Sequence, residues 1–181
     1  AVEGLLRAGE AVPQKAIDAL TSAQLPDGGW FWAFGAPSSD VDTTGRVLLL
    51  LSGLGEQQCV PGYRRAGRFL AAGQLSSGGW GVNPAPNTNP ANGNSTALAA
   101  AGLRAAGIDP DAAPYVRGGK SAWQHLLSFQ EAGGAFVYIQ QAGQEEVRLM
   151  ATVDALVALT EPLAGTIDCP MVYLPLLLAR Q

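Results

Sequence analysis

The sequence predicts an all-α fold of helical-hairpin repeats, and two observations carry that prediction. The first is a three-fold internal repeat. Leu20, Gln24 and Gly28-Gly29-Trp30 recur as Leu70, Gln74 and Gly78-Gly79-Trp80, and again as Leu126, Gln130 and Gly134-Ala135-Phe136. The step from Leu to Gln to Gly is the same each time, as in stacked supersecondary units. The second is a small-residue apolar helix that follows each turn in fixed register. Thr44, Thr96 and Thr152 correspond, as do Leu48, Ala100 and Leu156, and Gly45, Ala97 and Val153. One domain over 1–181 then holds repeats of about 10–58, 59–112 and 113–165, with 1–9 and 166–181 as partial repeats or caps.

The elements follow in order. Residues 1–9 have helical periodicity closed by Gly9, like the end of a helix whose beginning is missing. Pro13 suits the first turn of a helix that carries Ala16, Ile17, Leu20 and Gln24 on one face. Pro26-Asp27-Gly28-Gly29 breaks it, and Trp30 and Phe34 are expected to pack back on the helix pair. After the polar run Pro37–Asp40, a second helix starts near Asp42 or Thr43 and reaches about Gly53. The second repeat has a helix from about Gly62 to Gly73, a turn to Trp80 and a polar Asn/Pro loop over 83–94. Its second helix starts at Asn94-Ser95-Thr96 and ends near Ala106-Gly107. The third has a helix from about Lys120 to Gln130, a short hairpin around Phe136 to Gln140, and a helix from about Glu146 to Leu159. The second helix of each repeat is apolar on most faces and reads as an inner helix. The first helices carry more charge and read as the outer layer. The recurring Gln is expected to bond backbone groups left unpaired at a neighbouring helix end, and the Trp to plate the junction.

Composition narrows the function. The chain has a formal net charge of -4 and 14% charged residues, which argues against a nucleic-acid binder. Arg64, Arg65 and Arg68 read as a solvated helix face. Apolar stretches such as Val47–Leu51 are far short of a membrane span. No signal-peptide pattern and no Met open the chain, so the expectation is a removed leader or a segment of something longer. Cys59 and Cys169 allow either one disulfide or two buried thiols. His125, the only histidine, is expected on a helix surface or in a capping role. One His without clustered Cys gives no ordinary zinc set, and no cofactor is implied.

The repeats resemble the QW repeats of the squalene cyclase and prenyltransferase-like superfamily over about residues 10–160. That resemblance implies an α/α toroid, inner helices around a cavity and outer helices around them. Three pairs fall short of the five to seven or so that close such a ring, so a partial, open toroid is expected. Asp40-Val41-Asp42-Thr43-Thr44 resembles the Asp-x-Asp-Asp-Thr motif of class II terpene cyclases. By position, Asp42 would be the acid that protonates an alkene and Asp40 the first carboxylate. Thr43 replaces the final Asp, and Gly45 stands where Ala is usual. Such chemistry needs a protonated carboxyl in an apolar chamber, with aromatic faces for the carbocation. Trp30, Phe31, Trp32 and Phe34 cluster in a turn, and the inner helices carry no aromatic residue.

The residues also allow a plainer reading, with Asp42 as the N-cap of its helix and Asn94-Ser95-Thr96 in the same place one repeat later. In the toroid, inner-helix N-termini rim the cavity, so Asp40, Asp42, Thr43, Asn94, Ser95, Thr96 and Thr152 are ligand-rim candidates. The zinc and diphosphate sites of protein prenyltransferases have no counterpart. Gly55-Glu56-Gln57-Gln58-Cys59 has some letters of a thioester motif in the wrong order. Asn94-Ser95-Thr96-Ala97-Leu98 and Ala105–Pro110 look most like secreted bacterial repeat domains related to the cobalamin-carrier toroid, and an acidic, Lys-poor surface is compatible with a secreted or cell-surface setting. The leading expectation is a non-catalytic module that binds a small or lipidic ligand or a protein partner. A class II cyclase using Asp42 is the rival, and a purely structural scaffold the third reading. An open arc also calls for its own end segments, a homodimer or the remainder of a ring to cover its ends.

Overall fold

The computed structural model describes residues 4–5, 8–54, 61–84, 90–139 and 145–160. Among them the chain is all helix and turn, with α1 (Gln14–Ser22), α2 (Val41–Gly53), α3 (Pro61–Gly73), α4 (Gly93–Ala105), α5 (Ala122–Leu127) and α6 (Glu145–Thr160). Cys59, Cys169, the thioester-like letters at 55–59 and the terminal segment 166–181 lie outside the described residues.

α2 packs on α4 and α4 on α6, while α3 lies against α2 and α5 against α4. The small residues explain the close inner layer. A Cβ on Gly45 would stand 2.3 Å from Leu98 O, and one on Gly102 would stand 2.6 Å from Gly45 O. Backbone therefore meets backbone between α2 and α4. Trp30, Leu48, Leu70, Trp80 and Leu103 fill the core beside this seam. Ala97, Leu126, Phe136 and Ala155 fill the core of the next junction.

The repeat signature has a hydrogen-bonding basis. In each repeat the inner-helix Thr hydroxyl accepts the N–H of the turn aromatic: Thr44 from Trp30 at 3.0 Å, Thr96 from Trp80 at 3.1 Å and Thr152 from Phe136 at 2.8 Å. The Gln amide donates across the turn, from Gln24 to Gly28 O at 2.7 Å, from Gln74 to Gly78 O at 2.8 Å and from Gln130 to Gly134 O at 3.2 Å. Gln24 and Gln74 also reach forward, to Gly62 O and Tyr115 O, which ties each repeat to the next. The indoles of Trp30 and Trp80 donate to Leu20 O and Leu70 O, both at 2.8 Å, near outer-helix ends where carbonyls lack helical partners. The Phe136 ring has no N–H to give. Gly28, Gly78 and Gly134 sit at φ +99, +96 and +88, which a side chain would strain.

Three expectations change. α5 is six residues, shorter than Lys120–Gln130, because Ser128, Phe129 and Gln130 donate only three residues back and wind into turns. The region after Phe136 forms no hairpin among the described residues. A lone bridge joins Gln130 to Phe136, and Gln140 lies outside. Phe34 is 82% exposed instead of packed on the helix pair, whereas Trp30 is buried.

Candidate functional site

The inner-helix caps lie two residues before Asp42 and Asn94, and the reason is the preceding turn. Trp30 O accepts Asp40 N–H and Trp80 O accepts Asn92 N–H, both at 2.9 Å, pinning each chain in extended conformation just before its helix. Asp40 is therefore the cap of α2. Its carboxylate accepts Thr43 N–H at 2.7 Å and the Thr43 hydroxyl at 2.8 Å. Asn92 caps α4 by accepting Ser95 N–H at 2.8 Å. The expectation that Asp42 and Asn94 are caps is corrected; both stand in the first turn.

That offset releases Asp42 and Asn94 for other contacts. Asn94 donates to Asp154 of α6 at 2.7 Å, and Arg46 of α2 pairs with the other oxygen of Asp154 at 3.3 Å. The Ser95 hydroxyl bonds the Asp42 carboxyl and itself receives the Asn92 amide at 3.0 Å. Three inner helices thus share one polar network. Burial raises the pKa of Asp42; the charges of Asp40 and Asp154 add to the rise, against the Ser95 hydroxyl and Arg46. The pKa of Tyr138 is raised by burial and then by the charge of Asp42. Among the described residues, Asp42 Oδ1 and Asn94 Oδ1 are buried without a protein donor.

The other rim candidates have different work. Thr96 is fully buried, and Thr96 and Thr152 hold the turn aromatics, so neither presents a free hydroxyl to a rim. Ser95 is buried beneath the network. Thr43 lines a cleft of about 500 Å3 formed by α1, the aromatic turn and Val47. Asp42 lines neither this cleft nor a second one of about 470 Å3 beside Arg65 and Arg68. Arg46, Asp154 and Tyr138 were not singled out from sequence. The signal was there for two of them: Arg46 and Asp154 each interrupt an apolar inner-helix run. Among the described residues no three His, Cys, Asp or Glu side chains gather as a metal site.

Replacing Asp42 by Asn is expected to leave the fold intact and to raise stability at neutral pH. A carboxyl whose folded pKa is raised destabilises the folded state while ionised, and this penalty fades as pH falls through the folded pKa toward 3.8. The stability gap between variant and wild type in urea should therefore narrow from pH 7 to pH 4. A gap that widens on acidification would show that the carboxylate is the favoured form.

His125 is buried, not on the surface. It sits edge-on to Phe129 at 5.2 Å and against Gly79, with no partner for either nitrogen among the described residues. Burial, and then the charge of Lys120, lower its pKa from 6.5. Neutral His125 is favoured in the folded state, so stability is full above pH 6.5 and is lost as pH falls through the depressed pKa. His125→Phe, which copies Phe69 at the same repeat position, should abolish that part of the acid sensitivity in a denaturation series from pH 7 to pH 5.

A scan against protein-family models gives no match, and a search of curated proteins gives none either.

Proposed function

We propose that this chain is a non-catalytic repeat module of the prenyltransferase-like kind, an open arc that binds a small ligand through the inner-helix rim at Asp42, Asn94, Asp154 and Arg46. The observation that supports it is the polar network itself. The positions of Arg46 and Asp154 hold Leu98 in the middle repeat, and the position of Asp42 and Asn94 holds Met150 in the third. The repeat fold does not require polar groups there, and burying Asp154 and part of Asp42 and Asn94 is costly without a purpose. Two acceptors without a protein donor, among three Asp and one Arg, favour a ligand group that donates hydrogen bonds, a hydroxyl or an ammonium.

The test is native mass spectrometry of the purified chain, with amide spectra recorded during titration with ethanolamine, which carries both donor types. The reading expects shifts at Asp42, Asn94 and Asp154 that vanish in Asp154→Ala and survive in Trp32→Ala. No retained molecule and no movement at these residues would overturn it.

A second reading, alkene protonation by Asp42, draws on its raised pKa and on the carboxylates of Asp40 and Asp154 acting on it. Against it, Asp42 lines neither cleft, and the aromatic side chains lie in the turn that lines the first. If the chain turns over a polyprenyl substrate, Asp42→Asn abolishes the product under this reading; retained product removes Asp42 as the acid.

A further inference from the structure

We propose that a second copy of this chain docks head to tail, the apolar ridge of α6 from one copy seating in the cleft beside α2 of the next.

The ridge is defined by the repeat register. Val41, Leu48 and Leu51 of α2 are 0%, 0% and 2% exposed, and Ala97, Ala100 and Leu103 of α4 are fully buried. The matching positions on α6 are Leu149, Val153, Leu156 and Leu159, and they are 72%, 45%, 53% and 40% exposed. On α2 and α4 this face meets the next inner helix. Gly45 abuts Leu98 and Gly102 of α4, and Gly93 abuts Ala151 of α6. α6 carries the same face with nothing on it among the described residues, and carries larger side chains there.

The opposite end of the arc shows the complementary half. Ser95 and Ala99 of α4, like Ala151 and Ala155 of α6, are buried, and the alanines of α6 pack against Ala97 and Ala101 of the preceding inner helix. Their counterparts on α2 are Thr43, half-buried, and Val47, 4% exposed on the core side, and both also line the cleft of about 500 Å3. Trp32 and Phe34, 80% and 82% exposed, stand at its edge.

Ridge and cleft are thus the two sides of an interface already made twice inside the molecule. Size complementarity points to a second copy. The internal seam is closed by glycine against backbone. The end cleft has room, and the ridge offers Leu, Val and Leu where α2 has Val, Gly and Leu. A row of four exposed apolar side chains along one helix face, Leu149, Val153, Leu156 and Leu159, points to an association site. Because the two patches differ, the contact is heterologous. It closes into a ring if the rotation allows and otherwise continues as an open assembly.

The experiment is sedimentation of the full chain over micromolar to millimolar concentration, with Leu156→Glu breaking the ridge and Phe34→Glu breaking the cleft. Both side chains are exposed, and circular dichroism confirms that each variant is folded. Wild type is expected to show concentration-dependent multiples of the 18.7 kDa chain. Each variant alone is expected to be a monomer. An equal mixture is expected to form dimers and nothing larger, because only one intact ridge and one intact cleft remain per pair. A monomeric wild type overturns the proposal. So does a dimer that survives either variant, or a monomeric wild type that Leu156→Glu markedly destabilises, the sign of a segment of the same chain on the ridge. None of these outcomes depends on a ligand at the rim.

Discussion

Trp80→Ala is expected to be the most damaging single truncation, lowering stability by about 3–5 kcal/mol, with a fall in Tm on the order of 10 °C. Trp80 is fully buried, and it is the largest such side chain in the core. It sits among residues from α2, α3 and α4, so the hole opens where three helices meet and none can collapse into it alone. The indole N–H also holds Leu70 O at 2.8 Å. Removing the ring leaves that carbonyl without its donor, a further cost of about 1–3 kcal/mol if water cannot reach it. Trp80→Phe separates the two effects, since Phe136 shows that the repeat tolerates an aromatic without a donor. The phenylalanine variant should recover most of the lost stability and fall short by the hydrogen bond. Urea unfolding of the three proteins measures both steps. Equal stability of Trp80→Phe and Trp80→Ala would show that the hydrogen bond, not the ring volume, holds the junction.

This junction also shows what can be read from sequence. Leu70, Gln74 and Trp80 are legible because each repeats, and repetition exposes a structural job that one instance would hide. The Thr register at 44, 96 and 152 is legible for the same reason, but the pattern does not say that all three hydroxyls hold the turn aromatics, Thr96 and Thr152 among the rim candidates included. Asp42 shows the limit. Asp40 and Asp42 are both good caps by residue type, and what chooses between them is the bond from Asp40 N–H to Trp30 O across the turn. No local pattern contains that bond. The polar network was hidden for a related reason: Asp154 lies 108 residues from Arg46 and 60 from Asn94. Its three helices come together only because repeats stack, and the repeat signal carries the stacking but not the residues that break it. His125 failed by its neighbours; a lone His beside Leu126 and Leu127 looks peripheral until Gly79 on the adjoining turn proves to make room for its ring.

Gly45→Ala is the second large effect, and its sign runs against helix propensity. In an exposed helix interior, Gly to Ala gains about 1 kcal/mol. Here the new Cβ would stand 2.3 Å from Leu98 O and 2.6 Å from Leu98 C. Both are backbone, so no rotamer change relieves the clash and α2 must move off α4. Overpacking of this kind costs about 1–3 kcal/mol, which exceeds the propensity gain. The movement also strains the ion pair of Arg46 with Asp154 and the Asn94 bond, because those contacts span the same helices. Gly67→Ala is the internal control. Its Cβ would meet Ile108 Cδ1 at 2.8 Å and the Tyr115 hydroxyl at 3.4 Å, and the isoleucine tip can rotate away. That variant should be as stable as wild type or more so, while Gly45→Ala is less stable. If both glycines accept alanine equally well in thermal denaturation, the α2–α4 seam is not held by backbone proximity. The position is instructive along the three inner helices, where Gly45, Ala97 and Val153 grow in size. Glycine is required where α4 closes directly on the backbone, alanine suffices where α6 packs, and valine stands on the outward ridge of α6.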